Sequence, residues 1–225
     1  MNRFFVKKDD IEGNSALITG EDVKHISKVL RMAPGDKVML CDGEGYQYLA
    51  EINQITKDDV RLEILSGERC AAEPMQRITL YQGLPKGDKM ELIVQKCVEL
   101  GISEIVPVAA ERSIVRIKPG EFGGKRTRYQ RVAYEAAKQC GRGIIPEIAD
   151  LTTFKAADMG HHDLIIIAYE DEKGNTLKSL LRANMQAKDI AIVIGPEGGL
   201  ESSEVELLTQ KGGKAVTLGP RILRT

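Results

Sequence analysis

The strongest constraint on this chain's fold is a change of sequence rhythm near residue 70. Ahead of it, residues 1–70 read mostly as short strands. Lys37–Cys41 closes on Asp42-Gly43-Glu44-Gly45, and Tyr46–Ile55 and Asp59–Leu65 follow. The Asp-Gly pair between two such runs is a hairpin signal. One helix is expected to interrupt the strands at Glu21–Arg31, with Val23, Ile26, Val29 and Leu30 on one face and Pro34-Gly35 as its stop. This pattern predicts a small β-barrel-like domain over residues 1–70. Gly67–Gln76 has no period and reads as a linker.

Beyond the linker, strand-like runs alternate with helical stretches. Strands are expected at Arg77–Tyr81, Glu104–Val108, Asp163–Ala168, Asp189–Ile194 and Ala215–Leu218. Helices are expected at Asp88–Leu100, Lys125–Cys140, Leu177–Arg182 and Ser202–Gln210. Such alternation predicts an α/β domain over residues 77–225 with a largely parallel sheet.

Open sheets of that kind bind ligands beyond the carboxyl ends of their strands. Three late strands have informative ends. Leu164–Ala168 runs into Tyr169-Glu170-Asp171, Ile190–Ile194 into Gly195-Pro196-Glu197-Gly198-Gly199, and Ala215–Leu218 into Gly219-Pro220-Arg221-Ile222-Leu223-Arg224. A single apolar-Gly-Pro turn is best read as a tight connection. Two in one sheet, the second followed by Arg221 and Arg224, predict a binding site. The fingerprints of dinucleotide folds, P-loops and nucleophile elbows are all missing. The loops offer backbone amides and carbonyls more than charge, which suits an adenine and an amino-acid tail better than a triphosphate.

Bulk charge names no partner, because 32 Lys and Arg face 33 Asp and Glu. Local clustering does. Arg112–Arg142 holds nine Lys and Arg against two acidic residues. Phosphate-backbone binding is the natural use of that excess, although a charged run is usually a solvated face. The four cysteines, Cys41, Cys70, Cys97 and Cys140, are widely spaced and read as buried reduced thiols. His25, His161 and His162 lack partners at metal-ligand spacing, so no metal is expected. No run approaches the ~18 apolar residues of a membrane span, and a soluble, cytoplasmic protein is expected. Three readings remain open at this level: an RNA-modifying enzyme, a non-catalytic RNA-binding module, and a nucleotide-dependent enzyme acting on a small molecule.

The ordered motifs carry a resemblance. His25-Ile26-Ser27-Lys28-Val29-Leu30-Arg31, Gly83-Leu84-Pro85-Lys86, Lys96-Cys97-Val98-Glu99-Leu100-Gly101 and Glu111-Arg112-Ser113 come first. Then come Glu135-Ala136-Ala137-Lys138-Gln139-Cys140-Gly141-Arg142, Ile194–Gly199 and Leu218–Thr225. In order and spacing the chain resembles the RsmE family of small-subunit ribosomal RNA methyltransferases, of the SPOUT class. The resemblance implies a PUA-like RNA-binding β-barrel domain followed by a knotted α/β domain with a trefoil knot, and a homodimer. It also implies a C-terminal helix beyond Thr225 that helps close the cofactor pocket. The implied reaction is S-adenosylmethionine-dependent methylation of N3 of a uridine in 16S ribosomal RNA.

The implied cofactor site comprises Ala168, Tyr169, Glu170, Ile194, Gly195, Pro196, Gly198, Gly199, Leu218, Gly219, Arg221, Ile222 and Leu223. Glu197 is a candidate base or polar anchor, with a helix N-terminal carboxylate as the bland alternative. Arg112 and Arg142 are candidates for stabilising a uracil anion or gripping phosphate, Arg224 for orienting the base, and Glu135 for pairing with Arg142 or another cation. His25, Lys28 and Arg31, at helical spacing, and Lys125, Arg126 and Arg128 are the candidate RNA contacts.

Overall fold

The computed structural model describes residues 1–115, 117 and 120–223. Strands form where β-branched and apolar residues alternate or run together. The first sheet contains β1 (Arg3–Phe5), β2 (Ile11–Glu12), β3 (Ser15–Thr19), β4 (Lys37–Cys41), β5 (Tyr46–Ile55) and β6 (Asp59–Arg69). Its order is β1-β4-β5-β6-β3-β2, antiparallel except for the parallel β1–β4 pair. The side-chain period of two sends Ala16, Ile18, Val38, Leu40, Val60 and Leu62 into one core with Phe4 and Ile52. Two register shifts, at Leu49/Ala50 and Ile52/Gln54, mark irregularities along the β5–β6 ribbon, and bulges of this kind bend a strand. At the β4–β5 turn the Asp42 carboxylate accepts the N–H groups of Glu44 and Tyr46.

Strand β6 continues to Arg69, inside the expected linker, because Tyr46–Leu49 supply it with cross-strand partners. Those partners lie 17 to 23 residues away, out of reach of any local period. The helical segment also differs from expectation. A short α1 (Glu21–Lys24) passes into a π-helical turn, His25–Val29. There the Leu30 N–H bonds to His25 O, five residues back. That widened turn rotates Val29 out of the apolar stripe: Val23 and Ile26 are buried, but Val29 is 70% exposed. Arg31 then takes a left-handed conformation, φ 53°, and Met32 N–H closes back on Ile26 O.

The second sheet is fully parallel, with order β12-β10-β11-β7-β8-β9. Its strands are β7 (Arg77–Gly83), β8 (Glu104–Val108), β9 (Glu147–Ile148), β10 (Leu164–Ala168), β11 (Asp189–Ile194) and β12 (Lys214–Val216). Between them lie α2 (Lys89–Glu99), α3 (Gly123–Cys140), α4 (Leu177–Ala183) and α5 (Ser202–Gln210). Helices cover both faces. The run Leu164-Ile165-Ile166-Ile167 is therefore buried on both sides, with Ile165 and Ile167 in one cluster and Leu164 and Ile166 in another. Strand β12 stops at Val216 because the Thr217 N–H leaves the ladder for Asn175 O.

The chain divides into two compact units: Met1–Glu73 with Ala137–Ile145, and Pro74–Ala136 with Pro146 onward. The change of sequence rhythm predicts two continuous segments, 1–70 and 77–225. The end of α3 and the turn after it belong to the first unit through side-chain pairing. Arg142, 3% exposed, donates to Glu73, which also accepts the N–H groups of Gly143 and Ile144. Lys138 pairs with Asp22 and lies over the Phe4 ring. Periodicity within a helix does not reveal where its far end packs. Among the described residues, no helix is long and apolar enough to cross a membrane.

Candidate active site at the strand ends

Because β12, β10 and β11 are adjacent and parallel, their carboxyl ends open on one edge of the sheet. The segments Ala168–Glu170, Ile194–Gly199 and Leu218–Leu223 therefore share one rim. Tyr169 N–H donates to Val216 O, linking the first and third strand ends. The first and second loops touch directly: Gly199 has φ 74°, and any side chain there would strike the Glu170 carboxylate. A Cβ at Gly195 would sit 2.8 Å from the carbonyl carbon of Gly199, so the loop folds tightly on itself. Gly219, φ 123°, donates its N–H to Thr217 Oγ1, and the neighbouring Leu218, Arg221, Ile222 and Leu223 are exposed.

A rim with exposed apolar side chains beside loop backbone fits a ligand that has an aromatic ring and a polar tail. Adenine and an aminocarboxypropyl chain meet that description. Arg224 lies outside the described residues.

Several side chains hold this rim in shape. Gln82, buried at the end of β7, donates to Gly83 O and Gly195 O. The Glu197 carboxylate accepts the Lys86 N–H and pairs with the Lys89 ammonium at 2.7 Å. Partial burial pushes the Glu197 carboxyl upward. The Lys89 ammonium and the backbone N–H groups of Glu197 and Lys86 outweigh it, and the group lies below its ordinary range. Glu197 is thus an anchor between loops. The helix-capping carboxylate is Glu201, whose capping box with Glu204 starts α5.

Arg112 is held rather than free. Its Nε and Nη2 donate to the two oxygens of Glu201 at 2.7 and 3.1 Å, and Nη1 donates to Gly198 O at 2.9 Å. The Glu201 hydrogen bond raises the Arg112 pKa and lowers that of Glu201. Arg142 belongs to the first unit, paired with Glu73 rather than with Glu135.

The basic excess on α3 is partly neutralised by residues distant in sequence. Arg126 pairs with Glu147 and Asp150 and donates to Ile148 O, and Arg128 pairs with Glu91. Lys125 and Arg131 are exposed and form no ion pair among the described residues. Arg126, Arg131, Gln130 and Tyr134 line an open groove of about 590 Å³ on this helix. In the first unit Lys28 and Arg31 are exposed, and His25 is half-buried with its ring edge-on to Phe4.

The histidines also differ from expectation, for Asp189 comes within 4.8 Å of both His161 and His162. Buried His162 is bound at Nδ1 by Asp189 and at Nε2 by the Tyr81 hydroxyl. Burial pushes that hydroxyl up to about 12. With both ring nitrogens of His162 engaged, the cluster is a satisfied hydrogen-bond chain.

The sequence places Glu201-Ser202-Ser203-Glu204 at a helix start as its cap, as observed, but gives no part in the rim to Gln82, Lys86 or Lys89, nor to the link from Glu201 to Arg112. For Gln82 one signal was available, a polar residue near the end of an apolar strand.

Comparison with known proteins gives the class first. Residues 72–225 match a family model described as an RNA methyltransferase domain, and residues 18–65 one described as an RNA methyltransferase PUA domain. The first unit is accordingly PUA-like and the second a SPOUT-related α/β domain. Ribosomal RNA small subunit methyltransferase E of Bacillus subtilis is 35% identical over the whole chain and 91% of its own length. The protein of that name from Synechocystis is 32% identical, covering 99% of this chain and 72% of its own. A crystal structure of the Neisseria gonorrhoeae protein of that name, bound to S-adenosyl methionine, superposes with a TM-score of 0.86. It is 30% identical and covers 100% of this chain and 92% of its own. The chain belongs to the ribosomal RNA small subunit methyltransferase E family.

Proposed function

We propose that this protein is an S-adenosylmethionine-dependent methyltransferase of small-subunit ribosomal RNA, and that it modifies N3 of a uridine in 16S RNA. The observation that carries the reading is the shared rim of three loops at the ends of β10, β11 and β12, with Gly199 seated on Glu170. Leu218, Ile222 and Leu223 would cover the adenine, and the backbone of Ile194–Gly199 and Ala168–Glu170 would hold the polar tail. Bound S-adenosylmethionine supplies an electrophilic methyl on a sulfonium. The trefoil knot, the homodimer and the cytoplasmic location belong to the same proposal.

Uracil N3 carries a proton and becomes nucleophilic only when that proton leaves. The protein's task is to hold N3 in line with the methyl group and favour the anion. Orientation alone is worth ~7–11 kcal/mol of barrier. Glu197, held by Lys89 below its ordinary pKa, is better suited to anchor the loop than to take the proton. Arg112 shapes the same loop through Gly198 O. Arg224 is assigned to orienting the base, and Arg221 to doing so less directly. Arg142, buried against Glu73, is assigned to holding its turn. His25, Lys28 and Arg31 in the first unit, and Lys125, Arg126 and Arg128 in the second, are assigned to RNA backbone. Such contacts position the substrate without reading its sequence.

Two measurements test the proposal. Calorimetric titration should find S-adenosylmethionine binding and no NAD binding. Mass spectrometry of 16S RNA from cells lacking the protein should find one 3-methyluridine missing. A full complement of 3-methyluridine in those cells would overturn the assignment.

A further inference from the structure

The residue that caps α5 does a second job in this fold. Glu201 takes the N-cap position, where its carboxylate accepts the Glu204 N–H while Glu204 reaches back to the Glu201 N–H at 3.0 Å. Serine, threonine or aspartate does that capping as well or better. A glutamate side chain is longer than the cap requires. Here the extra reach brings both carboxylate oxygens onto Arg112 in a two-bond fork. The third guanidinium nitrogen of Arg112 lands on Gly198 O, within the Ile194–Gly199 loop. The fit is close, for a Cβ at Gly198 would lie 3.1 Å from Arg112 Cβ. On the other side of the same cap, buried Glu204 accepts the N–H of Glu111, one residue before Arg112. The segment after β8 is therefore stapled to α5 by its backbone at Glu111 and by its side chain at Arg112.

The geometry points to Glu201 as a positioning residue. Through Arg112 it holds the Ile194–Gly199 loop in its binding shape before any ligand arrives. This inference rests on the reading of that loop as the S-adenosylmethionine site. It also changes the role of Arg112. With Nε, Nη1 and Nη2 each engaged by the protein, the guanidinium acts on the loop that holds the cofactor rather than gripping RNA phosphate. Preorganisation of this kind raises affinity by removing the ordering cost from the binding step. The side chains of the ion pair are 40% and 37% exposed, so its effect should be moderate and weaker at high salt.

Glu201→Ser separates the two jobs, because serine keeps the capping box and loses the fork. The thermal midpoint should stay near wild type. The S-adenosylmethionine dissociation constant should rise roughly three- to tenfold, with the KM for RNA unchanged. In the ligand-free protein, hydrogen exchange at Gly198 and Gly199 should quicken. Glu201→Gln, which keeps one acceptor, should fall between. Arg112→Lys should weaken cofactor binding as much as Glu201→Ser, and the double variant should be no weaker than Arg112→Lys alone. Wild-type affinity and exchange in a folded Glu201→Ser variant would overturn the inference, as would additive losses in the double variant. If wild-type protein fails to bind S-adenosylmethionine, the functional reading falls, and the exchange rates still decide whether Glu201 holds the loop.

Discussion

Arg31→Gly is expected to make this protein more stable and worse at binding RNA. Arg31 follows the π-helical turn in a left-handed conformation with φ 53°, and it is the one non-glycine residue with positive φ among the described residues. Helices commonly close on glycine at such a position, because a Cβ crowds the backbone there. The strain on an L-residue is about 1–2 kcal/mol. Glycine removes it but loses ~0.5–1 kcal/mol through its freer unfolded chain. The net expected gain is roughly 0.5–1 kcal/mol, or about 1–4 °C in the midpoint for a chain of this size.

Nothing in the fold offsets that gain, since the exposed Arg31 side chain makes no hydrogen bond or ion pair among the described residues. RNA binding should move the other way, with a salt slope lower by about 1 if one phosphate contact is lost. Arg31→Ala is the control, because it removes the charge and keeps the strain. The assays are thermal unfolding and RNA titration at several salt concentrations. A lower midpoint for Arg31→Gly would refute the strain argument. An unchanged salt slope in both variants would refute the RNA contact.

Gly195→Val should abolish S-adenosylmethionine binding by calorimetry while far-UV dichroism stays native, because its Cβ would press on the Gly199 backbone. Arg142→Ala should cost about 3 kcal/mol in denaturant unfolding, the low end for breaking a buried pair, since Glu73 keeps the N–H groups of Gly143 and Ile144. Lys125→Ala/Arg131→Ala should reduce RNA affinity more than Arg126→Ala/Arg128→Ala, whose arginines already face Glu147, Asp150 and Glu91. Equal losses in the two double variants would mean that those ion pairs exchange freely for phosphate. Glu197 is held below its ordinary carboxylate range, so its contribution is present above the unfolded pKa, ~4.3, and lost as pH falls through the lower folded value. Acid unfolding curves of wild type and Glu197→Gln should therefore converge only at the acid end.

What the sequence determined by itself was carried by short-range pattern. Strands Lys37–Cys41, Tyr46–Ile55, Glu104–Val108 and Asp189–Ile194 and helix Ser202–Gln210 lie where composition and period put them. The two Gly-Pro strand ends pointed to the rim because backbone freedom and proline stiffness are local properties. The ordered motifs identified the family, since their spacing can be read along the chain. Tertiary structure alone decided which charges meet. Arg112 found Glu201, Arg142 found Glu73, and His162 found Asp189, each across at least 27 residues. It decided that Val29 turns outward, because one widened turn rotates a helix face without altering its composition. It also set how much of the basic run on α3 stays unpaired, because neutralising Arg126 and Arg128 depends on where Asp150 and Glu91 lie in space. Apolar periodicity reports whether a residue faces inward; electrostatic pairing depends on distances that only the folded chain creates.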